Sequence, residues 1–375
     1  MATIPSYFAD FLSNIRLTNS QIDDCITGHT TLRKRLSNDE NLASIIVDTF
    51  LQGSYRRSTA VRPFDEDKNV DVDVIVVTTL DRHKIKPQEA LNKFKPFLEK
   101  HYAGKYTLQG RSWGIKLSYV DLDLVPTSVP SEAQKAMIKS ASVLTTSALE
   151  EASDWTLKAS WKPANQRDSS RLTSYLAKLE AEKKWQTEPL WIPDREAKIW
   201  DETDPIAQID ATSKKNGLCN GHFVSVVKCL KWWRVAKKPV PKYPKSYPLE
   251  HLTWRWCPDG IKTVAEGVVR TLENIRDRYK TEASMKLVPF LPDHGVPAHN
   301  VLGRLSGNDW TAFYNIVGEA ASFARKAYDE EDVRKSAILW KEFFGDKFPD
   351  PPSESSKSGF TPRKEASIIA GGRFA

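Results

Sequence analysis

Two aspartates alternate with valines between residues 70 and 76. Every second residue there is valine, and a period of two is typical of a β-strand that buries one face. Asp71 and Asp73 then lie on the opposite face, roughly 6.6 Å apart along the strand. Carboxylates at that separation can converge on one divalent ion or on a pair of ions, and without a cation they repel each other. The spacing therefore predicts a metal site on this face.

A glycine-serine pair stands just upstream of that strand. Gly53 and Ser54 follow an apolar run over 45–51 and precede a segment, 54–61, that is able to form a helix. The order strand, tight turn, helix, strand brings together free N–H groups, a serine hydroxyl and a glycine that admits close approach. These features are typical of a phosphate-binding turn, so we expect phosphate and metal to meet there. Gln52 lies beside the turn and is a candidate for substrate contact.

A third carboxylate is predicted in the next alternating segment, 106–127. The stretch 110–114 contains two glycines and breaks this segment, which indicates a turn or bulge between two paired strands. In the second run, 115–125, Asp121 and Asp123 lie on one face of the predicted strand. Asp123 has leucine on both sides, where a carboxylate needs a partner such as a metal ion. Asp121 lies one pleat repeat earlier, and periodicity alone does not separate the two.

Length, charge and composition limit the class of protein. With 375 residues and a mass of 42.5 kDa, the chain can form two domains or one bilobal domain. The net charge of +7 favours an anionic partner, such as nucleoside triphosphates, nucleic acid or an acidic protein surface. The N-terminus has no signal segment, and no apolar run reaches the roughly 18 residues of a membrane span. We therefore expect a soluble, cytoplasmic protein without a membrane partner.

The cysteines are too widely spaced to indicate a disulfide framework. They are Cys25, Cys219, Cys229 and Cys257. The last three lie with His222 and His251 in the segment 219–257, which invites comparison with a zinc site. The spacings fit no standard zinc finger, and Cys229 lies on the apolar side of a predicted helix. Core cysteines are therefore favoured over metal ligands.

The other elements are predicted from periodicity, caps and breaks. Two N-terminal helices are expected within residues 5–37, with a break at 16–19 and Ser20 as the N-cap of the second helix. One amphipathic helix is expected over 87–102. Residues 150–205 show little regular pattern, and we assign no chemistry to them. Further helices are predicted over 171–184, 223–235, 261–277 and 309–330.

The order of glycine-serine, a variable spacer and Asp-x-Asp resembles the nucleotidyltransferase superfamily typified by DNA polymerase beta. The resemblance favours Asp123 over Asp121, because the third aspartate of that superfamily is normally embedded in apolar residues. It implies that Asp71 and Asp73 hold two Mg²⁺ ions, with Mn²⁺ as an alternative. Asp123 would hold one of the ions and help to activate a ribose hydroxyl. Ser54 and neighbouring N–H groups would bind the leaving β- and γ-phosphates.

The chain also resembles a narrower family over nearly its whole length. The matching runs are FLQGSYRRSTAVRP (50–63), VDVDVIVV (70–77), YVDLDLV (119–125), LCNGHF (218–223), KWWR (231–234), YPKSYPLEHL (243–252) and GRFA (372–375). They are similar to bacterial cGAS/DncV-like nucleotidyltransferases, the CD-NTases of CBASS antiphage defence, and most similar to the CdnD clade. The resemblance implies that ATP and GTP are joined into a cyclic trinucleotide of two AMP and one GMP, which activates a downstream effector.

Three residues of the second half take their expected roles from this resemblance. Lys231 matches a phosphate-contacting lysine on the helix that borders the cleft, and Ser246 and Tyr247 match a pair near the donor nucleotide. From the residues alone, a lysine on a helix is usually solvated. Tyr247 either packs on its own lobe or stacks on a purine, which would stabilise binding by about 1 to 3 kcal/mol. The zinc ribbon of the animal DNA sensor is not evident, which puts a double-stranded DNA trigger in doubt and leaves nucleic-acid activation open.

These observations predict a bilobal α+β enzyme with nucleotides in a central cleft. Residues 1–200 are expected to form a polymerase-beta-like nucleotidyltransferase lobe, with a mixed sheet and N-terminal spine helices. Residues 201–348 are expected to form a helical lobe like that of oligoadenylate synthetase, and residues 349–375 a disordered tail. The resemblance further implies an E1/E2-like partner that conjugates the C-terminal carboxylate, here that of Ala375. The alternatives are a linear nucleotidyltransferase of the oligoadenylate synthetase or tRNA-end type, and an inactive nucleotide- or RNA-binding module.

Overall fold

The computed structural model describes residues 4–65, 67–128, 189–237 and 242–351. The predicted helix over 171–184 and the tail from residue 352, with Ala375, lie outside these residues. Within them, the named strands lie before residue 204, and the chain after that point is mainly helical. None of the described helices combines the length and the apolar composition that crossing a bilayer requires.

Two helices begin the chain, as predicted: α1 over Pro5–Ile15 and α2 over Asn19–Ser37. The N-cap of α2 is Thr18, so the prediction of Ser20 is wrong. Thr18 Oγ1 accepts a hydrogen bond from the N–H of Gln21 at 3.1 Å, and the Gln21 side chain accepts one from the N–H of Thr18 at 3.0 Å. This reciprocal pair satisfies N–H groups that a helix start leaves free, and Ser20 lies too far into the helix to do so.

The described residues form a five-stranded mixed sheet in the order β1-β2-β5-β4-β3. Its strands are β1 (Ile46–Gln52), β2 (Asp71–Thr78), β3 (Tyr106–Leu108), β4 (Trp113–Lys116) and β5 (Asp121–Pro126). β2 pairs antiparallel with β1 and parallel with β5. The mixed sheet of the predicted fold is confirmed, and β2 at its centre is the strand with alternating valines.

The two faces of β2 differ along its length. Val72, Val74 and Val76 are fully buried on one face, in a core that includes side chains of α2. On the other face, Ile75 and Val77 are buried in a second, smaller core. Only the first half of that face remains available, and it carries the two aspartates of the strand. Burial of the rest of the strand therefore fixes where the carboxylates lie.

The turn after β1 continues into a shorter helix than predicted. α3 covers only Gly53–Arg56, and the predicted helix over 54–61 is wrong beyond that point. Ser58 adopts a left-handed backbone conformation, with φ of 59°, which a continuing helix does not allow. The N–H groups of Thr59 and Ala60 donate to the carbonyl oxygen of Ser54, at 2.9 and 3.1 Å. The chain therefore folds back on the glycine-serine turn.

Two other long predicted elements are divided in the structure. The helix expected over 87–102 is two helices, α4 (Pro87–Asn92) and α5 (Lys95–Tyr102), because Pro96 has no N–H group to continue the hydrogen bonding of the first. The run over 115–125 is likewise two strands, β4 and β5. They are separated by a turn in which the N–H of Leu117 donates to the carbonyl of Val120 at 3.0 Å.

A two-stranded hairpin, β6 (Leu190–Asp194) and β7 (Ile199–Thr203), leads into the helical half. The helices that follow are α6 (Pro205–Leu218), α7 (Phe223–Ala236), α8 (Ser246–Trp256), α9 (Val264–Arg278), α10 (Lys280–Ser284), α11 (Gly307–Asp329) and α12 (Val333–Phe344). The predicted helices over 223–235, 261–277 and 309–330 correspond to α7, α9 and α11.

The helical half has its own core, which also receives the first helix of the chain. Phe8 and Phe11 of α1 contact Phe344 and Phe348, with ring centroids 4.4 to 5.9 Å apart. α2, by contrast, packs its buried leucines against the sheet. The two N-terminal helices thus pack into different cores, α1 into that of the helical half and α2 into that of the sheet.

Candidate active site

The three predicted carboxylates meet at one end of the sheet. In the parallel pairing of β2 and β5, Asp73 lies beside Asp123 and Asp71 beside Asp121. One ligand oxygen from each of Asp71, Asp73 and Asp123 lies within 4.8 Å of the others. Asp121 is outside this group, and its Oδ1 accepts a hydrogen bond from Asn69 Nδ2 at 2.9 Å. The geometry thus separates the two aspartates that periodicity left unresolved.

The pKa values of these three aspartates are raised. Desolvation in the cleft, followed by the charges of Asp73 and Asp123, raises the pKa of Asp71 to about 8. Burial and the charge of Asp73 likewise raise the pKa of Asp123 to about 7. Burial raises the pKa of Asp73 as well, against the opposing charge of Arg57. A hard divalent cation prefers oxygen ligands and would remove the repulsion, so the residues fit such an ion.

Gly53 brings the turn directly against this group. Its φ is +74°, a left-handed conformation that favours glycine, and a Cβ atom there would lie 1.8 Å from Asp73 Oδ2. Gln52, the last residue of β1, pairs with Asp73 across the sheet. Ser54 follows Gly53 in α3. The predicted phosphate-binding turn and the predicted metal ligands are therefore neighbours.

Gln109 is a site residue that the sequence reasoning missed. Its Nε2 donates to Asp123 Oδ1 at 3.0 Å, and its Oε1 accepts from Ser112 Oγ at 3.1 Å. The hydrogen bond opposes the rise in the pKa of Asp123. Gly114 leaves room for this arrangement, since a Cβ atom there would lie 2.4 Å from Gln109 Nε2. The glycines of 110–114 predicted a turn or bulge, and nothing in that prediction indicated Gln109.

Lys231 lies in a buried ion pair, not in a solvated position. Its Nζ donates to Glu250 Oε1 at 2.9 Å and to the carbonyl oxygen of Thr59 at 3.0 Å. Only 6% of Lys231 is exposed. Glu250, which the sequence reasoning did not single out, also accepts from Arg57 Nη2 at 3.2 Å. Lys231 therefore contacts the segment that folds back on the glycine-serine turn.

Ser246 and Tyr247 are the first two residues of α8. Ser246 is exposed and Tyr247 is half-buried. The Tyr247 hydroxyl donates to Asp293 Oδ2. The guanidinium of Arg57 lies over the Tyr247 ring, 5.4 Å from its centroid. Tyr247 therefore lies next to the buried ion pairs, and its ring already contacts the guanidinium of Arg57.

The cysteines are core residues in the structure. All four are free and buried. Cys219 Sγ and Cys257 Sγ lie 4.0 Å apart, at the ends of α6 and α8. Among the residues that the structure describes, the aspartate group is the one cluster of histidine, cysteine or acidic side chains close enough to hold a metal.

Fold and site together define a class of enzyme. A mixed sheet that carries two carboxylates on one strand, a third on its parallel neighbour and a glycine-serine turn against them is that of a polymerase-beta-like nucleotidyltransferase. Residues 1–151 match the model of the SMODS family, the Second Messenger Oligonucleotide or Dinucleotide Synthetase domain.

Curated relatives extend the match to nearly the whole chain. It is 46% identical to a cyclic AMP-AMP-GMP synthase of Enterobacter hormaechei over 98% of each chain. It is 46% identical to a probable cyclic AMP-AMP-GMP nucleotide synthase of Salmonella paratyphi B over 99% of each chain. Identity to a cyclic AMP-AMP-AMP synthase of Acinetobacter is 30%, over 98% of this chain and 91% of the relative.

Solved structures show the same fold at low identity. The CD-NTase CdnG of Bradyrhizobium diazoefficiens in complex with GTP has a TM-score of 0.63 and 12% identity, over 91% of this chain and 95% of that one. The GTP-bound form of Vibrio cholerae DncV has a TM-score of 0.62 and 12% identity, over 92% and 96%. The chain therefore belongs to the CD-NTases, the family of cyclic oligonucleotide synthases, and it is a nucleotidyltransferase.

Proposed function

We propose that the protein joins two AMP units and one GMP unit, from ATP and GTP, into a cyclic trinucleotide. The observation that carries this proposal is the 46% identity to cyclic AMP-AMP-GMP synthases over almost the full chain. The three carboxylates that nucleotidyl transfer requires are present and gathered. A relative at 30% identity bears the name of a cyclic AMP-AMP-AMP synthase. The test of the proposal is therefore the base composition of the product.

Asp71, Asp73 and Asp123 are the proposed ligands of two Mg²⁺ ions, for which Mn²⁺ can substitute. Asp71 and Asp73 would hold both ions and Asp123 one of them. When bound, such ions polarise the α-phosphate and neutralise charge that develops on its oxygens. Gln109 donates to Oδ1 of Asp123 and would orient this carboxylate, which would hold one ion and help to activate the attacking ribose hydroxyl.

The rest of the site would hold the nucleotides. The N–H groups of the turn at Gly53 and Ser54, with the Ser54 hydroxyl, are the proposed ligands of the β- and γ-phosphates, and Gln52 would contact substrate beside them. Lys231 would add a positive charge for the triphosphate. Tyr247 would stack on a donor base, and Ser246 would contact the same nucleotide.

Product analysis tests the proposal. The purified protein is incubated with Mg²⁺ and the four nucleoside triphosphates, with and without added RNA or DNA, and then treated with phosphatase. We expect a phosphatase-resistant product whose mass corresponds to two AMP and one GMP. A phosphatase-sensitive oligomer would indicate linear synthesis, and consumption of nucleotides by the Asp71→Asn, Asp73→Asn variant would contradict the assigned site.

The cellular role follows from the family resemblance. The protein would act in the cytoplasm, in CBASS antiphage defence, where its product activates an effector. An E1/E2-like partner would conjugate the carboxylate of Ala375 to a target. Truncation of residues 349–375 is expected to abolish conjugates on an immunoblot and to preserve nucleotide synthesis, because the only proposed site residue that it removes is Ala375.

A further inference from the structure

The buried carboxylate of Glu250 links two helices of the helical half to the segment that follows the glycine-serine turn. Only 6% of Glu250, on α8, is exposed. Its Oε1 accepts from Lys231 Nζ at 2.9 Å. Its Oε2 accepts from Arg57 Nη2 at 3.2 Å, from Arg57 Nε at 3.4 Å and from Thr59 Oγ1 at 2.9 Å. The carboxylate is therefore hydrogen-bonded on each oxygen, by donors from separate segments of the chain.

These contacts continue to the glycine-serine turn. Lys231 Nζ donates to the carbonyl oxygen of Thr59 at 3.0 Å. The N–H of Thr59 donates to the carbonyl of Ser54 at 2.9 Å, and the N–H of Arg57 donates to the carbonyl of Gly53 at 3.1 Å. A shift of the Glu250 carboxylate would thus be transmitted to the lysine and to the residues that fold against the turn.

The charges of this cluster act on the site as well. Lys231 and Arg57 together carry one positive charge more than Glu250 neutralises. Arg57 and Lys231 both lower the pKa of Asp73, and Glu250 raises it, although burial sets the overall upward direction. The charges of Lys231, Arg57 and Glu250 therefore lie close enough to influence the pKa of Asp73.

We propose that Glu250 is a positioning residue for the nucleotide site: it holds Lys231 and Arg57 side by side, so that their excess positive charge is presented to the triphosphate. Without the carboxylate, the two cations repel each other and Lys231 keeps only the Thr59 carbonyl as a described partner. This inference rests on the proposed use of the cleft for nucleotides, but it assigns a role to a residue that makes no contact with the reacting atoms.

Binding of a non-reacting nucleotide tests the role apart from catalysis. The probe is an ATP analogue with a methylene bridge between the α- and β-phosphorus atoms, titrated with Mg²⁺ into full-length protein by calorimetry. Glu250→Gln keeps the size of the side chain but removes its charge. It also replaces one carboxylate oxygen with an NH2 group, which would face donors. We expect its Kd for the analogue to rise about tenfold or more, as for loss of one partner of a buried ion pair. Glu250→Asp keeps the charge and should recover part of the affinity.

Glu273→Gln is the matched control. Glu273 forms a two-pronged ion pair with Arg325, at 2.8 and 2.7 Å, between α9 and α11. We expect this variant to bind the analogue like the wild type. If Glu250→Gln does not fold by circular dichroism, Thr59→Val removes one hydrogen bond to Glu250, and its Kd should rise roughly two- to fivefold.

Unchanged affinity of folded Glu250→Gln would overturn the inference, because Glu250 would then be a structural tie only. Tighter binding would also overturn it, since Glu250 would then compete with the triphosphate for the cations. Failure of the wild type to make any cyclic product would refute the proposed function and not the positioning role, which the analogue measures directly. A wild type that does not bind the analogue would refute the role.

Discussion

A group of three aspartates and the single carboxylate of Glu250 lie close together in this protein, and their pKa values are shifted in opposite directions. At the end of the sheet, desolvation raises the pKa values of Asp71, Asp73 and Asp123, and the charge of Asp73 raises those of Asp71 and Asp123 further. At Glu250, burial alone would raise the pKa, but Lys231 and Arg57 hold it below its usual value. The three aspartates could hold a metal ion, whereas Glu250 has counter-ions from the chain itself. The difference shows that the direction of a carboxylate's pKa shift depends on the charges around it as well as on desolvation.

The largest expected effect comes from removing charge at the group of three aspartates. Asp71→Asn with Asp73→Asn should lower the rate of nucleotide consumption by at least about a thousandfold, since bound metal contributes several kcal/mol to the transition state. The same change should raise the melting temperature of the metal-free protein, because it removes repulsion. Asp121→Asn is the control, because Asp121 lies outside the group and should keep most activity. Equal losses in both variants would remove the distinction between the two aspartates.

A second test changes the shape of the site and leaves its charges. Gly53→Ala places a methyl group against Asp73 Oδ2, and a misplaced carboxylate should lower kcat about 100-fold. Gly104→Ala is the control, because it introduces the same backbone strain as Gly53→Ala without a contact to a carboxylate. Gly104 also has a left-handed φ, of +72°, but no atom lies within 4 Å of a Cβ built there. Gly104→Ala should therefore lower the melting temperature and preserve kcat.

Gln109 allows a finer test of how the third carboxylate is held. Gln109→Ala should lower kcat by roughly tenfold, as loss of a residue that orients a metal ligand commonly does. Ser112→Ala, which removes only the hydrogen bond that orients the amide, should have a smaller effect. Steady-state rates at saturating nucleotide measure both. A larger loss of kcat for Ser112→Ala than for Gln109→Ala would contradict the view that Ser112 acts on Asp123 through Gln109.

The smallest expected effect is a dependence of stability on pH. The carboxylates at the end of the sheet have raised pKa values when folded, so the folded state binds more protons than the unfolded state between about pH 4 and 8. Stability of the metal-free protein should therefore fall as pH rises through that window. Glu250 has a lowered pKa, so its contribution is present above its unfolded pKa and lost only in acid.

Calorimetry with and without Mg²⁺ measures this difference. Because Mg²⁺ binds the deprotonated carboxylates, it should raise the melting temperature more at pH 9 than at pH 6, by roughly 2–4 °C. The Asp71→Asn, Asp73→Asn variant should show much less of this difference. An equal Mg²⁺ effect at both pH values would place the titrating groups elsewhere.

Local patterns in the sequence predicted the parts of the site that repeat or alternate. Asp71 and Asp73 follow from the period of two in β2, and Gly53 from the turn before it. The choice of Asp123 needed the family resemblance, and the parallel pairing of β2 with β5 then placed it beside Asp73. Where prediction failed, the cause was a local break that periodicity ignores, such as Pro96 or the left-handed Ser58.

Contacts between distant segments left no local signal. Glu250 contacts Arg57 across 193 residues of sequence, and no spacing rule links the two. Gln109 lies 14 residues from Asp123, beside a predicted turn that gave no indication of this contact. Such contacts become visible only when the chain is folded.

The packing of α1 has a consequence for biosynthesis. Phe8 and Phe11 have their aromatic partners at Phe344 and Phe348, far along the chain from α1. The helical core therefore cannot close until Phe344 and Phe348 have been synthesised, and a fragment that starts at residue 201 would expose the surface that α1 covers.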